Sequence, residues 1–396
     1  MLHMNGCNKI DNMDHILIPV HEFCGHAYEY TINLYHEAIR REKSQFVFIV
    51  PPEFSEHSKG QFINSRNIKV EYLTVDYCDR LKKYNRLKKS WRMNVELRKW
   101  IKRYQINKVH LISYDAYYPY LPFMTISGVS YFGIYYYVYY YEYKITKWSK
   151  RLYYSILMCL MCKNHSIKRL YFCNDYKAAT YTNRHFHVTK CKELKDPFVP
   201  LQNMTNYDAR VNYGISSNKK VFLHFGVLCK RKGSLMILDA IKRMKPEILE
   251  KAYFIFAGKI QEDIRLDFYH SIEQIKSSNI LLLDQFCSYD LLASLCRCSD
   301  YLLIPYLETS QSSGVLGYAS QFNIPVIGPS NNLLGRLIRN YELGYSFDTN
   351  NINEFIMVLT DRCLSDERTQ VSDRYLKCNN PAVFNQTIMN DIENDK

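Results

Sequence analysis

An α/β fold with two doubly wound parallel sheets is predicted by three observations. Short apolar runs that end in proline, glycine or a polar loop alternate with amphipathic helical stretches through both halves of the chain. The 396 residues exceed one small core, and roughly 100–200 residues per domain gives two. An extended segment, Asp196-Pro-Phe-Val-Pro200, parts the halves. The expected division is residues 1–198, residues 199–372, and a helical tail, 373–396, that could pack back on the first domain.

The first half opens with a buried strand at His15–Val20, a loop, a helix over Tyr28–Arg41 with Ile32, Tyr35 and Ile39 on one face, and a strand at Phe46–Val50. Ligands of parallel sheets bind beyond the carboxyl ends of the strands. His21, Glu22, Gly25 and His26 occupy that place, either as a ligand loop or as a tight turn carrying surface histidines. Residues 79–103 carry eleven basic and two acidic side chains, a net +9, with Tyr84, Leu87, Trp91 and Val95 at helical spacing. A basic amphipathic helix with tryptophan suits an anionic membrane surface, although a charge run is more often a solvated face. Lys108–Ser113 is a further strand, with Tyr114 and Asp115 at its carboxyl end. Tyr131–Tyr143 reads as a strand and the loop after it. Lys144–Leu170 reads as one or two helices with basic ends, Leu170–Cys173 as a strand, and Asp175–Thr182 as the start of a helix.

In the second half, strand Val221–Phe225 runs into Gly226-Val-Leu-Cys-Lys-Arg-Lys-Gly233, a cationic loop, and then a helix over Ser234–Met244. Strands at Tyr253–Ala257, Ile280–Leu283, Tyr301–Ile304, Val326–Ile327 and Tyr345–Phe347 alternate with helices. The stretch Ile304–Gly328 reads strand, loop, helix, strand. Its helix, Val315–Phe322, opens after Ser312-Ser313-Gly314, where unpaired N–H groups and the helix dipole favour a phosphate. An ordinary serine cap is the competing reading.

Taken together over Val221–Phe347, FGVLCKRKG, FAGK, LLDQFCSYDLLASLCRCSDYLLIPY and ETSQSSGVLGYASQFNIPVIGPSNNLLGRLIRNYELG resemble, in order and spacing, the retaining glycosyltransferases of family 4. That resemblance implies the GT-B architecture, two facing Rossmann-like domains. It implies a hexosyltransferase that moves a sugar from a nucleotide-diphosphate donor to a glycan or lipid-linked acceptor in bacterial surface polysaccharide assembly. Residue by residue, it places Lys232, assisted by Arg231, on the donor diphosphate, next to Gly226. The backbone of Ser313, Gly314 and Val315 falls on the same phosphates, Gln311 and Ser312 on phosphate or sugar, and Asp284, Gln285 and Phe286 near the base. Gly25, His26 and Asp115 fall on the acceptor side, and Glu308 matches the first of the family's paired glutamates. The family's usual mechanism needs no cofactor and no metal beyond the nucleotide sugar itself.

The chain departs from the family pattern at three places. Val227 stands where an arginine follows the loop glycine, Leu316 and Tyr318 stand where the second glutamate is sought, and Ser113–Asp115 replaces a histidine. These departures keep two alternatives in view, a GT-B nucleotide-sugar epimerase and a catalytically inactive membrane-associated scaffold.

Composition agrees with an enzyme of acidic substrates. The formal charge of +13 calls for an anionic partner: nucleotide sugar, anionic membrane or nucleic acid. No zinc finger, RNA-binding aromatic signature or basic tail favours nucleic acid. The 13 scattered cysteines read as reduced thiols. No apolar run spans a membrane and no signal peptide is legible, so a cytoplasmic location, peripheral on the inner face of the plasma membrane, is expected.

Overall fold

The computed structural model describes residues 13–23, 25–136, 147–201, 208–275, 279–367 and 369–395. The chain divides into two compact units, one of residues 1–194 with 384–396, the other of residues 195–383.

The first unit is a seven-stranded parallel sheet built from β1 (Asp14–Pro19), β2 (Ser44–Val50), β3 (Ile68–Tyr72), β4 (Lys108–Leu111), β5 (Ser130–Ile134), β6 (Ile167–Cys173) and β7 (Cys191–Leu194). Their order is β3-β2-β1-β4-β5-β6-β7. The central strands read as continuous apolar runs because both sheet faces are covered. Ile16, Ile18, Phe46 and Phe48 meet Leu34 and Tyr35 of the helix Gly25–Ile39 in one core. The last helix, Pro381–Glu393, completes that core with Phe384, Ile388, Met389 and Ile392, all fully buried. Lys108, itself buried, donates to Asp14 and to the Ile392 carbonyl, both at 2.8 Å.

The second unit is a six-stranded parallel sheet of β8 (Lys220–Phe225), β9 (Ala252–Ala257), β10 (Ile280–Leu283), β11 (Tyr301–Leu303), β12 (Val326–Pro329) and β13 (Gly344–Phe347), in the order β10-β9-β8-β11-β12-β13. Both sheets start in the middle, build outward to one edge, return to the middle and build to the other. That is the doubly wound, Rossmann-like order, and it makes the chain α/β with two parallel sheets.

Several elements differ from the reading of the sequence. β3 and β7 were not legible there. Helix Trp148–Lys163 ends at Lys163, and β6 then starts at Ile167, three residues before the expected Leu170. The tyrosine-rich strand stops at Ile134, and Tyr137–Tyr143 lie outside the described residues. The basic segment forms two helices, Val75–Lys83 and Arg86–Arg103, the second capped by Asn85, whose side chain accepts from Lys88 N at 2.9 Å.

Candidate functional site

Each sheet reverses its strand order at its first strand, and the crevice of such a reversal lies beyond the carboxyl ends of the two strands that flank it. In the second unit those strands are β8 and β11. β8 runs into Gly226 and the cationic loop; β11 runs into Ile304-Pro305-Tyr306.

The loop is held from three sides. Leu228 N donates to Lys259 O at 3.0 Å and Gln261 N to Leu228 O at 2.9 Å, tying it to the turn after β9. Leu307 N donates to Arg231 O at 2.9 Å, tying it to the loop after β11. Beneath it lies a buried relay. His224 Nδ1 is 2.8 Å from the Leu303 carbonyl, which can only accept, so Nδ1 carries the proton and Nε2 accepts from Ser234 Oγ at 2.9 Å. Ser234 Oγ in turn accepts from Cys229 N at 3.0 Å. Burial pushes the His224 imidazole down to about 4; the bond to Leu303 opposes this and the Lys232 charge adds to it. The relay is therefore neutral at pH 7.

Two glycines set the position of the cations. Gly233 (φ +72°) abuts the second loop so closely that a Cβ would lie 2.1 Å from Pro305 O. Gly226 (φ +89°) leaves open the space that the Lys232 ammonium borders, since a Cβ there would lie 2.6 Å from Nζ. Lys232 Nζ and Arg231 Cζ stand 5.7 and 5.9 Å from the Tyr306 ring centroid. Both side chains are half-buried, and neither forms an ion pair among the described residues.

Tyr306 also reaches the serine loop, where Ser313 Oγ donates to its hydroxyl at 3.4 Å. Helix Val315–Phe322 begins there with Gly314 as its N-cap and no side-chain cap on the helix. The N–H groups of Ser313 and Gly314 have no acceptor among the described residues, while Val315 N leans on Ser313 Oγ at 3.4 Å. The cationic loop and the serine loop that carries the open amides thus meet at one tyrosine. Cations, open amides and a helix terminus are groups that suit an anion.

The other residues that the resemblance puts on the donor side lie in the same unit, in the serine loop and after the edge strand β10. Gln311 and Ser312 lie half-buried in the serine loop, and Glu308 is exposed at its start. Asp284 follows β10 and is fully engaged: it accepts from Ile260 N at 2.9 Å, Arg265 at 2.7 Å and Tyr269 at 2.9 Å. Although partial burial alone would raise it, these donors hold its carboxyl below the usual range. Gln285 is exposed, and Phe286, 86% exposed, projects from the same edge.

In the first unit the reversal lies between β1 and β4, and a cavity of about 460 Å³ opens there. Asp115 lines it, with His21, Glu22, Tyr84, Arg86 and Lys89. Asp115 Oδ2 accepts from Tyr136 N at 2.6 Å, and Lys89 pairs with Glu22. His21 is fixed between the hydroxyls of Tyr117 (2.8 Å) and Tyr77 (3.0 Å), and burial pushes it down to about 3, helped by Lys89. Gly25 and His26 open the neighbouring helix, with His26 exposed, and neither lines the cavity.

Three parts of these sites escaped the reading of the sequence. Tyr306, which the cationic loop and the serine loop both reach, lies just past the expected strand Tyr301–Ile304 and carried no signal of its own. The relay had one visible signal, a histidine inside the apolar run VFLHF. Arg86 and Lys89 were visible only as members of a charge run.

No three His, Cys, Asp or Glu side chains come together as a metal site among the described residues. No described helix is long and apolar enough to cross a membrane.

No protein-family model and no curated protein matches the sequence. Solved structures do match the fold. HepE of Anabaena, crystallised with UDP-glucose, aligns with a TM-score of 0.70 at 14% identity, over 96% of this chain and 99% of its own. A glycosyltransferase from Rickettsia africae aligns at 0.69 and 14%, over 97% and 100%. The sucrose-phosphate synthase of Thermosynechococcus elongatus aligns at 0.72 and 12%, over 95% and 98%. At these identities the likeness is one of fold, and it extends over nearly the whole chain: this protein shares the two-sheet, Rossmann-like α/β fold of these solved structures.

Proposed function

We propose that this chain is a retaining glycosyltransferase of the family 4 kind. It transfers a hexose from a nucleotide-diphosphate sugar to a glycan or lipid-linked acceptor in bacterial surface polysaccharide assembly, working at the cytoplasmic face of the plasma membrane with residues 79–103 toward it. The observation that carries the reading is Lys232: a half-buried ammonium with no anionic partner among the described residues, beside Gly226 and across Tyr306 from the open amides of Ser313 and Gly314.

Such a site matches a leaving diphosphate. Lys232 and Arg231 neutralise the charge that builds on the departing oxygens, and the amides at Ser313–Val315 share it. The bond between the anomeric carbon and the phosphate oxygen breaks as the acceptor hydroxyl oxygen bonds to that carbon from the same face. The hydroxyl proton passes to the released phosphate oxygen. Gln311, Ser312 and Glu308 would position the sugar, and Gln285 and Phe286 would border the base, because Asp284 is already held by its own neighbours. The acceptor would be held by the first unit, with Asp115, Gly25 and His26 on its side. Two protein cations do the work that a divalent metal does elsewhere, so activity should survive EDTA.

The test is a set of reactions of nucleotide sugars with glycan acceptors, read by proton NMR of the anomeric signal. A product that keeps the donor's anomeric configuration, and is lost in Lys232→Ala, supports the reading. An inverted product would contradict retention. Interconversion of the donor without acceptor would instead make the protein an epimerase.

A further inference from the structure

The helix Trp148–Lys163 buries one face (Tyr154, Leu157, Met158, Met161) but leaves Trp148, Leu152 and Ile156 outward, 75%, 52% and 51% exposed. Their spacing of four puts them in one stripe, the face an amphipathic helix normally hides. The helix Arg86–Arg103 does the same on a smaller scale: Leu87 and Trp91, also four apart, are 53% and 44% exposed. Exposed apolar stripes on two neighbouring helices call for a cover.

These helices flank one turn. The turn Leu121–Met124 is fastened to both, since Arg98 donates to Met124 O at 2.9 Å and Asn164 donates to Pro122 O at 2.9 Å. At the other end Tyr153 is within electrostatic range of Arg86 and Tyr120. Phe123, 66% exposed, extends the apolar area between them. Basic side chains rim it: Arg86, Lys88 and Arg92 on one helix, Lys147, Lys150 and Arg151 around the start of the other. The helix Arg86–Arg103 has eight basic residues and one glutamate, Glu96.

We propose that this two-helix surface docks on an anionic phospholipid bilayer, with the tryptophans and leucines entering the headgroup boundary and the basic rim holding lipid phosphates. Apolar stripes with a cationic border fit a charged lipid surface; a second copy of so basic a patch would repel the first. The docking stands without the transferase reading. One consequence rests on that reading: Arg86 borders both this surface and the 460 Å³ cavity, so the cavity opens beside the bilayer and its occupant is a lipid-borne acceptor.

The test is sedimentation of the full chain with vesicles of phosphatidylcholine and of phosphatidylcholine mixed with about one-third phosphatidylglycerol. The chain should bind the mixed vesicles only. Tryptophan emission should shift to the blue and be quenched by brominated lipid, because Trp91 and Trp148 are exposed while Trp100, the third of three, is buried. Leu152→Glu/Ile156→Glu and, separately, Lys88→Glu/Arg92→Glu should each weaken binding about tenfold or more. Melting temperature and the response to nucleotide should not change, which separates failure of docking from failure of the transferase reading. Absence of binding to mixed vesicles, equal binding to neutral ones, or binding that ignores the apolar stripe would overturn the proposal. So would a dimer that Leu152→Glu dissolves.

Discussion

Lys232 is the residue on which most depends. Its ammonium sits where a hydrogen bond to a charged group contributes about 1.5–3 kcal/mol, so Lys232→Ala should weaken nucleoside-diphosphate affinity roughly 10- to 100-fold, measured by titration calorimetry. Gly226→Ala tests the same geometry from the backbone. Its Cβ would meet Nζ at 2.6 Å, a flexible end that can move away, so affinity should fall several-fold while the positive φ costs about 1 kcal/mol of stability. The buried histidines predict the response to acid. His21 and His110 lie at about 3 and His224 at about 4, lowered chiefly by burial, against about 6.5 in an unfolded chain. Between those values the unfolded chain binds more protons, so stability rises with pH and is lost as pH falls from about 6.5 toward 4. His110 is the cleanest case, since neither ring nitrogen has a hydrogen-bond partner among the described residues. His110→Phe should flatten the stability–pH curve below pH 6.5 by up to ~1.4 kcal/mol per pH unit, read by denaturant unfolding at several pH values.

Among the elements, the cationic loop is the most constrained. Gly233→Ala would place a methyl group 2.1 Å from Pro305 O at a left-handed backbone position, and backbone cannot retreat as a side chain tip can. It should cost about 2 kcal/mol or more and loosen the loop that carries Lys232, lowering both melting temperature and nucleotide affinity. Which elements the sequence revealed follows from where they sit. The central strands, HILIPV, VFLHF and YLLI, are buried on both faces and read as apolar runs. β3 (IKVEY) and β7 (CKEL) are sheet edges, partly open to solvent, and their polar residues hid them. Gly226 and Lys232 in one loop, and Ser312 and Ser313 in another, stood out in the sequence because each loop gathers its chemistry within a few residues. The Tyr306 contact and the anchoring of His224 did not, because each brings the end of β11 beside the end of β8: Tyr306 beside Lys232, and the Leu303 carbonyl on His224. Asp284 shows the converse: a carboxylate singled out for a ligand is occupied by Arg265 and Tyr269.

For the molecule as a whole, the division into two units separates effects on stability from effects on the site. The closing helix returns to the first unit, where Phe384 is fully buried. Phe384→Ala should cost about 3–5 kcal/mol and lower a first-unit transition in scanning calorimetry, with nucleotide affinity kept within about twofold. The chain's +13 charge should also make association with anionic ligands faster at low salt and slower as ionic strength rises. The most direct test of the central claim is calorimetric titration of UDP and other nucleoside diphosphates into the wild type and Lys232→Ala. Saturable binding of one of them, weakened at least about tenfold in the variant without loss of fold, is the predicted result. No binding by the folded wild type, or equal binding by both proteins, would contradict the assignment of this loop as the donor phosphate site.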